Sequence, residues 1–363
     1  MSALAAHYTP EHQMFRETCR RFFEKEVTPF HMKWEEQGIV PRELWRKAGE
    51  QGLLGMTMPE EYGGVGADFL YSAILIEEQG RALASGPAFS LHNDIVVPYL
   101  LHYGTEEQKK ALLPKIASGE ITATLAFDGP LGAAPTVAKG GKITGTKTYV
   151  LDGHTANLII VAAKTGKGTS LFAVDGKAAG LTRTALSTMD QTRKQAKLEF
   201  SNTPATLLGT EGEGWKVLGT VLDLAAVGLA AEQVGGAQKV LEMAVDYAKV
   251  RVQFGRPIGS FQAIKHKCAD MLLEVESAKS AAYYGMWCAA EMNDELASVA
   301  SLAKAYCSEA YFHATAENIQ IHGGIGFTWE HPAHLYFKRA KSSELLFGDP
   351  TYHRELLARR IGI

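Results

Sequence analysis

The segment RVQFGRPIGSFQ, residues 251–262, combines side chains that suit a phosphate-bearing ligand. Arg251 follows a long helical pattern, and its planar guanidinium matches the oxygens of a phosphate group. Gln253 can donate hydrogen bonds to the edge of a ligand, and the ring of Phe254 can cover one. A dinucleotide, whose pyrophosphate needs a permanent cation, would use all three. The alternative interpretation is an ordinary turn between two helices, with Arg251 in solvent.

A second candidate is the glycine cluster GGIGF. Gly323, Gly324 and Gly326 allow positive φ and a close approach of the backbone, so their amides could line a phosphate or an adenosine. Gln320 lies one helical turn earlier. Because glycine also ends helices, a plain C-cap is the alternative. No strand precedes the cluster, so it is not a Rossmann fingerprint.

Along the chain that contains these candidates, the pattern of apolar and polar residues changes twice. Helical spacing dominates residues 1–118, where Thr105 and Gln108 form a candidate capping box. Residues 119–210 contain short β-branched and aromatic runs separated by turn signals, typical of a small antiparallel barrel or sandwich. Residues 211–363 return to helical spacing in three or four long stretches, which favours an antiparallel bundle. We therefore predict an N-terminal helical domain, a central small β-barrel and a C-terminal antiparallel helix bundle.

The composition is ordinary for a soluble globular protein. The 363 residues are 46% hydrophobic and 21% charged, and the net charge of −3 gives no basic footprint for nucleic acid or an anionic membrane. No apolar run reaches the roughly 18 residues of a membrane span, and no secretory h-region opens the chain. The four cysteines form no CxxC pair, which predicts buried reduced thiols, and we see no metal-binding pattern. We expect a cytoplasmic protein.

Four motifs resemble those of the acyl-CoA dehydrogenase family: FFEKEVTPF, PEEYGG, DYAKVRVQFGRPIGSFQAIKHKCADM and NIQIHGGIGFTWEHP. The resemblance covers essentially the whole chain and implies that family's three-part α+β fold. It also implies FAD as the cofactor, an acyl-CoA substrate and an electron-transferring flavoprotein as the electron acceptor.

The same resemblance assigns flavin contacts. By position they are Arg251, Gln253, Phe254, Gln262, Gln320, Gly323, Gly324 and Tyr149. The segment around Arg251 would contact an FAD held mainly by a neighbouring subunit, which implies a tetramer. Tyr149 would take the place of an aromatic residue packed on the isoalloxazine, although an ordinary strand tyrosine is the alternative. One loop departs from the family: Phe127–Pro135 reads FDGPLGAAP and lacks the family's hydroxyl groups, leaving Asp128 and backbone amides.

The positions of the catalytic base also differ from the family's pattern. Removal of an α-proton needs a carboxylate, which the family places near the C-terminus or, in some members, on a helix after the β-rich region. Those positions fall at Phe347 or Gly348, depending on one gap, and at Ala225. Asp349 is the nearest carboxylate and is the predicted base, whereas Glu232 is less well placed. A structural aspartate that caps the last helix and a base from a partner subunit are the alternatives.

The predicted function is FAD-dependent α,β-desaturation of an acyl-CoA thioester, with electrons passed to an electron-transferring flavoprotein. The alternative is a non-catalytic subunit that completes the flavin site of an α2β2 enzyme, in which a paralogous partner supplies the base. An oxidase on the same fold also remains open.

Overall fold

The computed structural model describes residues 8–127 and 136–363. The chain divides into two compact units, each assembled from segments distant in sequence. The first unit comprises Met1–Thr28, Ala73–Ala84 and Ala226–Ile363, and the second comprises Pro29–Ser72 and Ser85–Ala225. The three boundaries expected from the sequence stay a prediction. The prediction for Asp128 falls outside the described residues.

Helices dominate both ends of the chain. In chain order they are α1 (Pro10–Glu26), α2 (His31–Gln37), α3 (Arg42–Glu50), α4 (Phe69–Arg81), α5 (Val97–Tyr103), α6 (Glu106–Ala117), α7 (Gly214–Val250), α8 (Gln262–Glu291), α9 (Leu296–His322), α10 (Ala333–Leu345) and α11 (Pro350–Arg360). The predicted capping box is confirmed at the start of α6, where the Gln108 amide donates to Thr105 Oγ1 at 3.2 Å and the Thr105 amide donates to Gln108 Oε1 at 2.9 Å. These bonds satisfy amides that the first turn of a helix leaves unpaired.

The first unit is a helical bundle built on α7, α8 and α9. Met292, with a φ of 48°, ends α8, and α9 begins at Leu296, so the two long helices are joined by a short turn and run antiparallel. Their buried faces carry alanine, valine and tyrosine at helical spacing, including Ala244, Val275 and Tyr311. The predicted helical C-terminal region is confirmed.

Two glycines let α4 approach α7 very closely. A Cβ on Gly80 would lie 2.2 Å from the Glu232 carbonyl oxygen, and a Cβ on Gly235 would lie 2.0 Å from the Glu77 carbonyl oxygen. Both distances are far below van der Waals contact, and both obstacles are backbone atoms that no rotamer change can move. The absence of a side chain at these two positions therefore sets the spacing of the two helices.

Gly235→Ala should consequently destabilise the chain, by at least about 2 kcal/mol, because α4 and α7 must separate to admit the methyl group. The measurement is the free energy of unfolding in urea. Gly219→Ala is the matched control, since Gly219 lies on the same helix and a methyl group there would meet, its own helix backbone aside, no atom of the described residues within 4 Å. That variant should gain up to about 1 kcal/mol of helix propensity. Equal stability of the two variants would contradict the close approach.

The second unit contains the main sheet. Its strands are β1 (Ala123–Ala126), β2 (Val137–Lys139), β3 (Lys142–Leu151), β4 (Leu158–Thr165), β5 (Gly168–Asp175), β6 (Leu181–Leu186), β7 (Gln195–Pro204) and β8 (Thr206–Leu208). They pair in the order β6-β7-β3-β2-β4-β5-β8, and β1 pairs with β4 in parallel. One face buries a core that includes Ile143, Val161 and Leu198. The first unit contains a separate hairpin of β9 (Val252–Gln253) and β10 (Arg256–Pro257).

The central β region is therefore an open sheet, and the predicted closed barrel is not confirmed. Closure requires the two end strands to pair with each other, but among the described strands β6 pairs only with β7 and β8 only with β5. β8 is three residues long and β2 is joined to β4 by the single pair Val137↔Lys164. Sequence patterning shows that strands exist, whereas closure depends on pairings between strands that are far apart in the chain.

Helix α7 is long and apolar enough, by length and composition alone, to cross a bilayer, and it is the one such helix among the described residues. Its apolar stretch is 76% buried inside the chain. This burial is typical of the core helix of a globular protein.

All four cysteines are free thiols, as predicted. Three of them, Cys19, Cys288 and Cys307, are buried, whereas Cys268 on α8 is half-buried. Burial raises the pKa of each thiol.

Candidate functional site

The RVQFGRPIGSFQ segment folds into a tight hairpin between α7 and α8. Its two strands pair antiparallel, with Gln253 opposite Arg256. The connecting residues, Phe254 and Gly255, have φ values of 51° and 76°. Positive φ at both central residues is the pattern of the type I′ turn, whose twist matches that of the flanking strands. The segment is thus a hairpin that connects two helices and leaves Arg251 exposed, and its contact with a cofactor stays a prediction.

Phe254 is held out from the surface at the tip of this hairpin. Its side chain is 92% exposed, and its left-handed backbone conformation is one that residues other than glycine adopt at a cost of about 1 kcal/mol or more. Phe261 packs against the hairpin, with its ring centroid 4.1 Å from the guanidinium carbon of Arg256. An exposed aromatic ring in a strained conformation is typical of a surface that contacts a ligand or another protein chain. The predicted contacts Arg251, Gln253 and Gln262 are also exposed.

The glycine cluster lies at the end of α9. Gly323 has φ 64° and ψ −140°, a combination open only to glycine. A Cβ on Gly323 or on Gly324 would meet no atom within 4 Å, so nothing in the described part of the chain packs against this stretch of backbone. Gly326 differs, because a Cβ there would lie 2.9 Å from the Cβ of His322. Gln320, one turn earlier, is exposed. The first two glycines therefore form an open shelf of backbone.

An aromatic stack brings the two motifs together within the first unit. The Tyr247 ring stacks on the His322 ring at 4.3 Å between centroids. Tyr247 also accepts a hydrogen bond from the Arg251 amide at 2.9 Å through its carbonyl oxygen, and His322 directly precedes Gly323. The stack therefore joins the end of α7, which leads into the hairpin, to the end of α9, which leads into the shelf. Sequence reasoning missed this pair, although an aromatic residue one turn before Arg251 and another beside the glycines were the available signal.

The histidines beside the shelf are kept neutral by their surroundings. Burial lowers the pKa of His322 and of His331, whose ring lies 4.4 Å from that of His322. Burial and the nearby Lys338 lower the pKa of His334. Neutral rings leave Arg251 and Arg256 as the permanent cations of the hairpin segment. This arrangement suits a ligand that carries phosphate groups at the hairpin and less charge at the rings.

Tyr149 belongs to the second unit and projects from a β-bulge. The pairing of β3 with β7 shifts between Lys147 and Val150, where one extra residue is accommodated on β3. Tyr149 has a φ of 60° and is 66% exposed. Bulges re-aim side chains beside functional sites, and the ring is turned out of the sheet here. Tyr149 is therefore a bulge residue of β3, and its contact with a flavin stays a prediction.

Asp349 caps the last helix. It is the N-cap of α11, and its Oδ1 accepts a hydrogen bond from the Tyr352 amide at 2.7 Å. The preceding turn is fastened by Lys304, whose fully buried ammonium donates to the carbonyl oxygens of Glu344 at 2.9 Å and Gly348 at 3.0 Å. Burial lowers the pKa of Lys304 to about 8. The structural alternative for Asp349 is thus observed, while its carboxylate remains exposed at the surface.

The other positions considered for the base hold no free carboxylate. Phe347 is half-buried with a φ of 61°, and Ala225 is buried. The carboxylate of Glu232 is 1% exposed and accepts a hydrogen bond from Arg339 Nε at 2.5 Å. Glu232 therefore has a structural role in an internal ion pair.

Comparison with known proteins matches both ends of the chain. The acyl-CoA dehydrogenase N-terminal domain matches residues 9–120, and the acyl-CoA dehydrogenase C-terminal domain matches residues 212–362. The mitochondrial long-chain specific acyl-CoA dehydrogenase of Sus scrofa is 33% identical over 98% of this chain and 87% of its own length. The chain belongs to the acyl-CoA dehydrogenase family. An acyl-CoA dehydrogenase of Bacillus subtilis (strain 168) is also 33% identical, over 97% of this chain and 98% of its own.

Solved acyl-CoA dehydrogenases have the same fold. The crystal structure of acyl-CoA dehydrogenase from Geobacillus kaustophilus superposes with a TM-score of 0.93 at 31% identity, covering 98% of this chain and 99% of that one. As a member of the acyl-CoA dehydrogenase family, this chain is an oxidoreductase of that type, and its family acts on acyl-CoA with FAD.

Proposed function

We propose that this acyl-CoA dehydrogenase carries out FAD-dependent α,β-desaturation of an acyl-CoA thioester and passes the electrons to an electron-transferring flavoprotein. The observation that carries the proposal is the surface formed by the type I′ hairpin and the open glycine shelf, which the stack of Tyr247 on His322 joins. A surface with a permanent cation, exposed amides and an exposed ring has the donors that a dinucleotide needs.

The residues of this surface fit FAD. The Arg251 guanidinium would pair with the pyrophosphate, and Gln253 and Gln262 would add hydrogen bonds. Gly323 and Gly324 offer backbone that no described side chain covers, so a ligand can approach it closely. Bound FAD would supply the acceptor for the hydride that leaves the β-carbon. Gln320 and Phe254 would complete the contacts from this unit. Separately, the second unit would offer Tyr149 to pack on an isoalloxazine ring.

A second chain is part of this proposal. The hairpin and shelf lie on the outside of the first unit, with Phe254 almost fully exposed. Such a surface is suited to an FAD shared with a neighbouring subunit, because the neighbour would cover the ring. We infer a tetramer, either of identical chains or with a paralogous chain.

Asp349 is our candidate for the base that takes the α-proton. Its carboxylate is exposed at the end of a turn that Lys304 and Gly348 hold rigidly, and among the described residues only Oδ1 accepts a hydrogen bond, from the Tyr352 amide. The second oxygen is available to a substrate.

The capping bond favours a second candidate function. An aspartate at an N-cap is explained by its structural role alone. The positions where the family has its catalytic base hold Phe347 or Gly348 and Ala225, none of which carries a carboxylate. In that case the chain would complete the flavin site of an α2β2 enzyme whose paralogous partner supplies the base.

Arg251→Met tests the flavin site. The purified protein is expected to carry FAD, released on denaturation and identified by chromatography, and the variant should lose at least about tenfold in FAD affinity with one charge-assisted contact removed. The control is Lys249→Met, whose side chain is largely exposed in the last turn of α7, two residues before Arg251. This variant should keep its flavin. If Arg251→Met and Lys249→Met retain flavin equally, the hairpin is not a cofactor contact.

A further inference from the structure

The second unit contains a short π-helical segment, Leu91–Val96, whose six side chains are all buried. Three consecutive polar residues, His92, Asn93 and Asp94, occupy its middle and are 0%, 2% and 2% exposed. A π-helix is rare in proteins, and polar side chains enclosed in one need hydrogen-bond partners from the surrounding structure. The partners of these three residues therefore show what holds the segment in place.

Two of the three side chains have uncharged partners. Asn93 Nδ2 donates to the Leu53 carbonyl oxygen at 2.9 Å, and Asn93 Oδ1 accepts from the Gly55 amide at 2.9 Å. His92 Nε2 lies 3.3 Å from the Ile121 carbonyl oxygen. Burial lowers the pKa of His92 to about 4, so its ring stays neutral around neutral pH. These two attachments of the segment therefore do not change with pH in that range.

The third side chain, Asp94, is held by a single hydrogen bond. Ser72 Oγ, at the start of α4 and in the same unit, donates to Asp94 Oδ1, whereas Asp94 Oδ2 has no hydrogen-bond partner among the described residues. One hydroxyl cannot replace the water around a carboxylate, and a neutral carboxylic acid costs far less to bury. The surroundings of Asp94 therefore favour its protonated form.

No nearby charge opposes this preference. Burial raises the pKa of Asp94 to about 7, and the influence that lowers it is the Ser72 hydroxyl. The parts of the unit that pack against the segment or bond to it are α5, β1, residues 51–58 and residues 69–72. They contain no carboxylate or permanent cation, and their titratable groups are Tyr71, Tyr99, His102 and Tyr103. The charged side chains of α3, whose Trp45 contacts the His92 ring, do not act on Asp94 either.

We propose that Asp94 is a proton-dependent lock: as a neutral acid it holds the π-helical segment against the start of α4, and the segment loosens when the proton is lost. Ionisation places a carboxylate in a site with one donor, and opening of the segment returns that carboxylate to water. The segment contains none of the residues proposed to hold FAD or to take the α-proton, so the inference goes beyond the proposed function.

The direction of the pH dependence follows from proton binding. The pKa of Asp94 rises from an ordinary 3.8 to about 7 when the segment is closed. Between these two values the closed segment keeps a proton that the open segment has lost, so opening becomes easier by up to about tenfold for each pH unit. The lock is thus strongest below about pH 4, weakens as the pH rises to about 7, and changes no further above it.

Hydrogen exchange of the full chain as purified tests the lock, followed by mass spectrometry of peptides that cover the segment and α5. The parent and Asp94→Asn, whose amide cannot ionise, are compared at the same pH, so the intrinsic pH dependence of exchange cancels. We expect the ratio of parent to variant exchange rates to grow at least about tenfold between about pH 5 and about pH 7, and then to level off.

Asp175→Asn is the matched control. Asp175 is exposed at the end of β5 in the same unit, and asparagine can keep the hydrogen bond that its Oδ1 accepts from the Lys177 amide. Its exchange ratio in the same peptides should not change with pH. A ratio for Asp94→Asn that stays constant from about pH 5 to about pH 7, or one that grows equally for Asp175→Asn, would overturn the proposal.

Ser72→Ala tests the lock without altering the carboxyl group, and so serves even if Asp94→Asn folds poorly. The variant removes the one hydrogen bond that ties Asp94 to the start of α4. At about pH 5, where the parent segment is closed, we expect exchange in the same peptides to be at least about fivefold faster than in the parent. Exchange as slow as in the parent would show that this contact does not hold the segment.

Discussion

Glu232→Ala is expected to lower the free energy of unfolding by about 3–5 kcal/mol, which for many domains is a large part of the total. The reason is the internal ion pair between Glu232, on α7, and Arg339, on α10, whose side chains are 1% and 2% exposed. Removing the carboxylate takes away the negative charge that Glu232 places against this buried guanidinium. Unfolding in urea, followed by circular dichroism, measures the loss.

Two comparisons separate the buried charge from general damage. The double variant Glu232→Met with Arg339→Met removes both charges, and it should recover most of the lost stability because no unpaired ion remains. Glu309→Ala breaks a surface pair with Arg354 in the same unit, where both partners are about half exposed, and should cost no more than about 1 kcal/mol. A Glu232→Ala protein as stable as Glu309→Ala would show that the internal pair contributes little.

Asp349→Asn is expected to lower the turnover of acyl-CoA substrates by about 10²–10⁴-fold if Asp349 is the base, since an amide cannot take the α-proton. Asparagine caps helices about as well as aspartate, so the hydrogen bond from the Tyr352 amide survives and the thermal midpoint should not move. The measurement is anaerobic reduction of the bound flavin by short- and long-chain acyl-CoA thioesters, made on the assembly as purified.

Asp349→Ser provides the matched control, because serine also caps the helix and also lacks the carboxylate. Both variants should therefore lose activity together and keep their stability. If both turn over substrate as the parent does, Asp349 is only a cap, and the base belongs to another residue. The presence of a paralogous chain in the purified assembly would then identify the non-catalytic role.

The helices could be predicted from the sequence because their signals are local. The Thr105 and Gln108 capping box and the apolar spacing of the long C-terminal helices need only a few consecutive residues. The helix crossing at Gly80 and Gly235 could not be predicted, because a glycine within a helix indicates only weak helix propensity until the facing backbone is known. That the sheet is open could not be predicted either, because closure depends on which strands pair with the two end strands of the sheet.

Candidate residues for the site could be named from the sequence, and their role stays a prediction, whereas their geometry could not be predicted. The resemblance drew attention to Arg251 and Tyr149, yet their surroundings depend on tertiary structure. Positive φ at Phe254 and at Tyr149 is a strained state that only the folded context can impose, so no local pattern announces it. The stack of Tyr247 on His322 joins residues far apart in the chain.

The unequal burial of the four thiols makes the chain suitable for single-site labelling. Because only the thiolate reacts and three of the cysteines are enclosed, a maleimide dye would attach first to the half-buried Cys268. That residue shares a groove with Pro257 of the hairpin and Ile264 of α8. A fluorophore there would report on the hairpin in the native, unmutated protein, so its covering by cofactor or by another chain could be followed in real time.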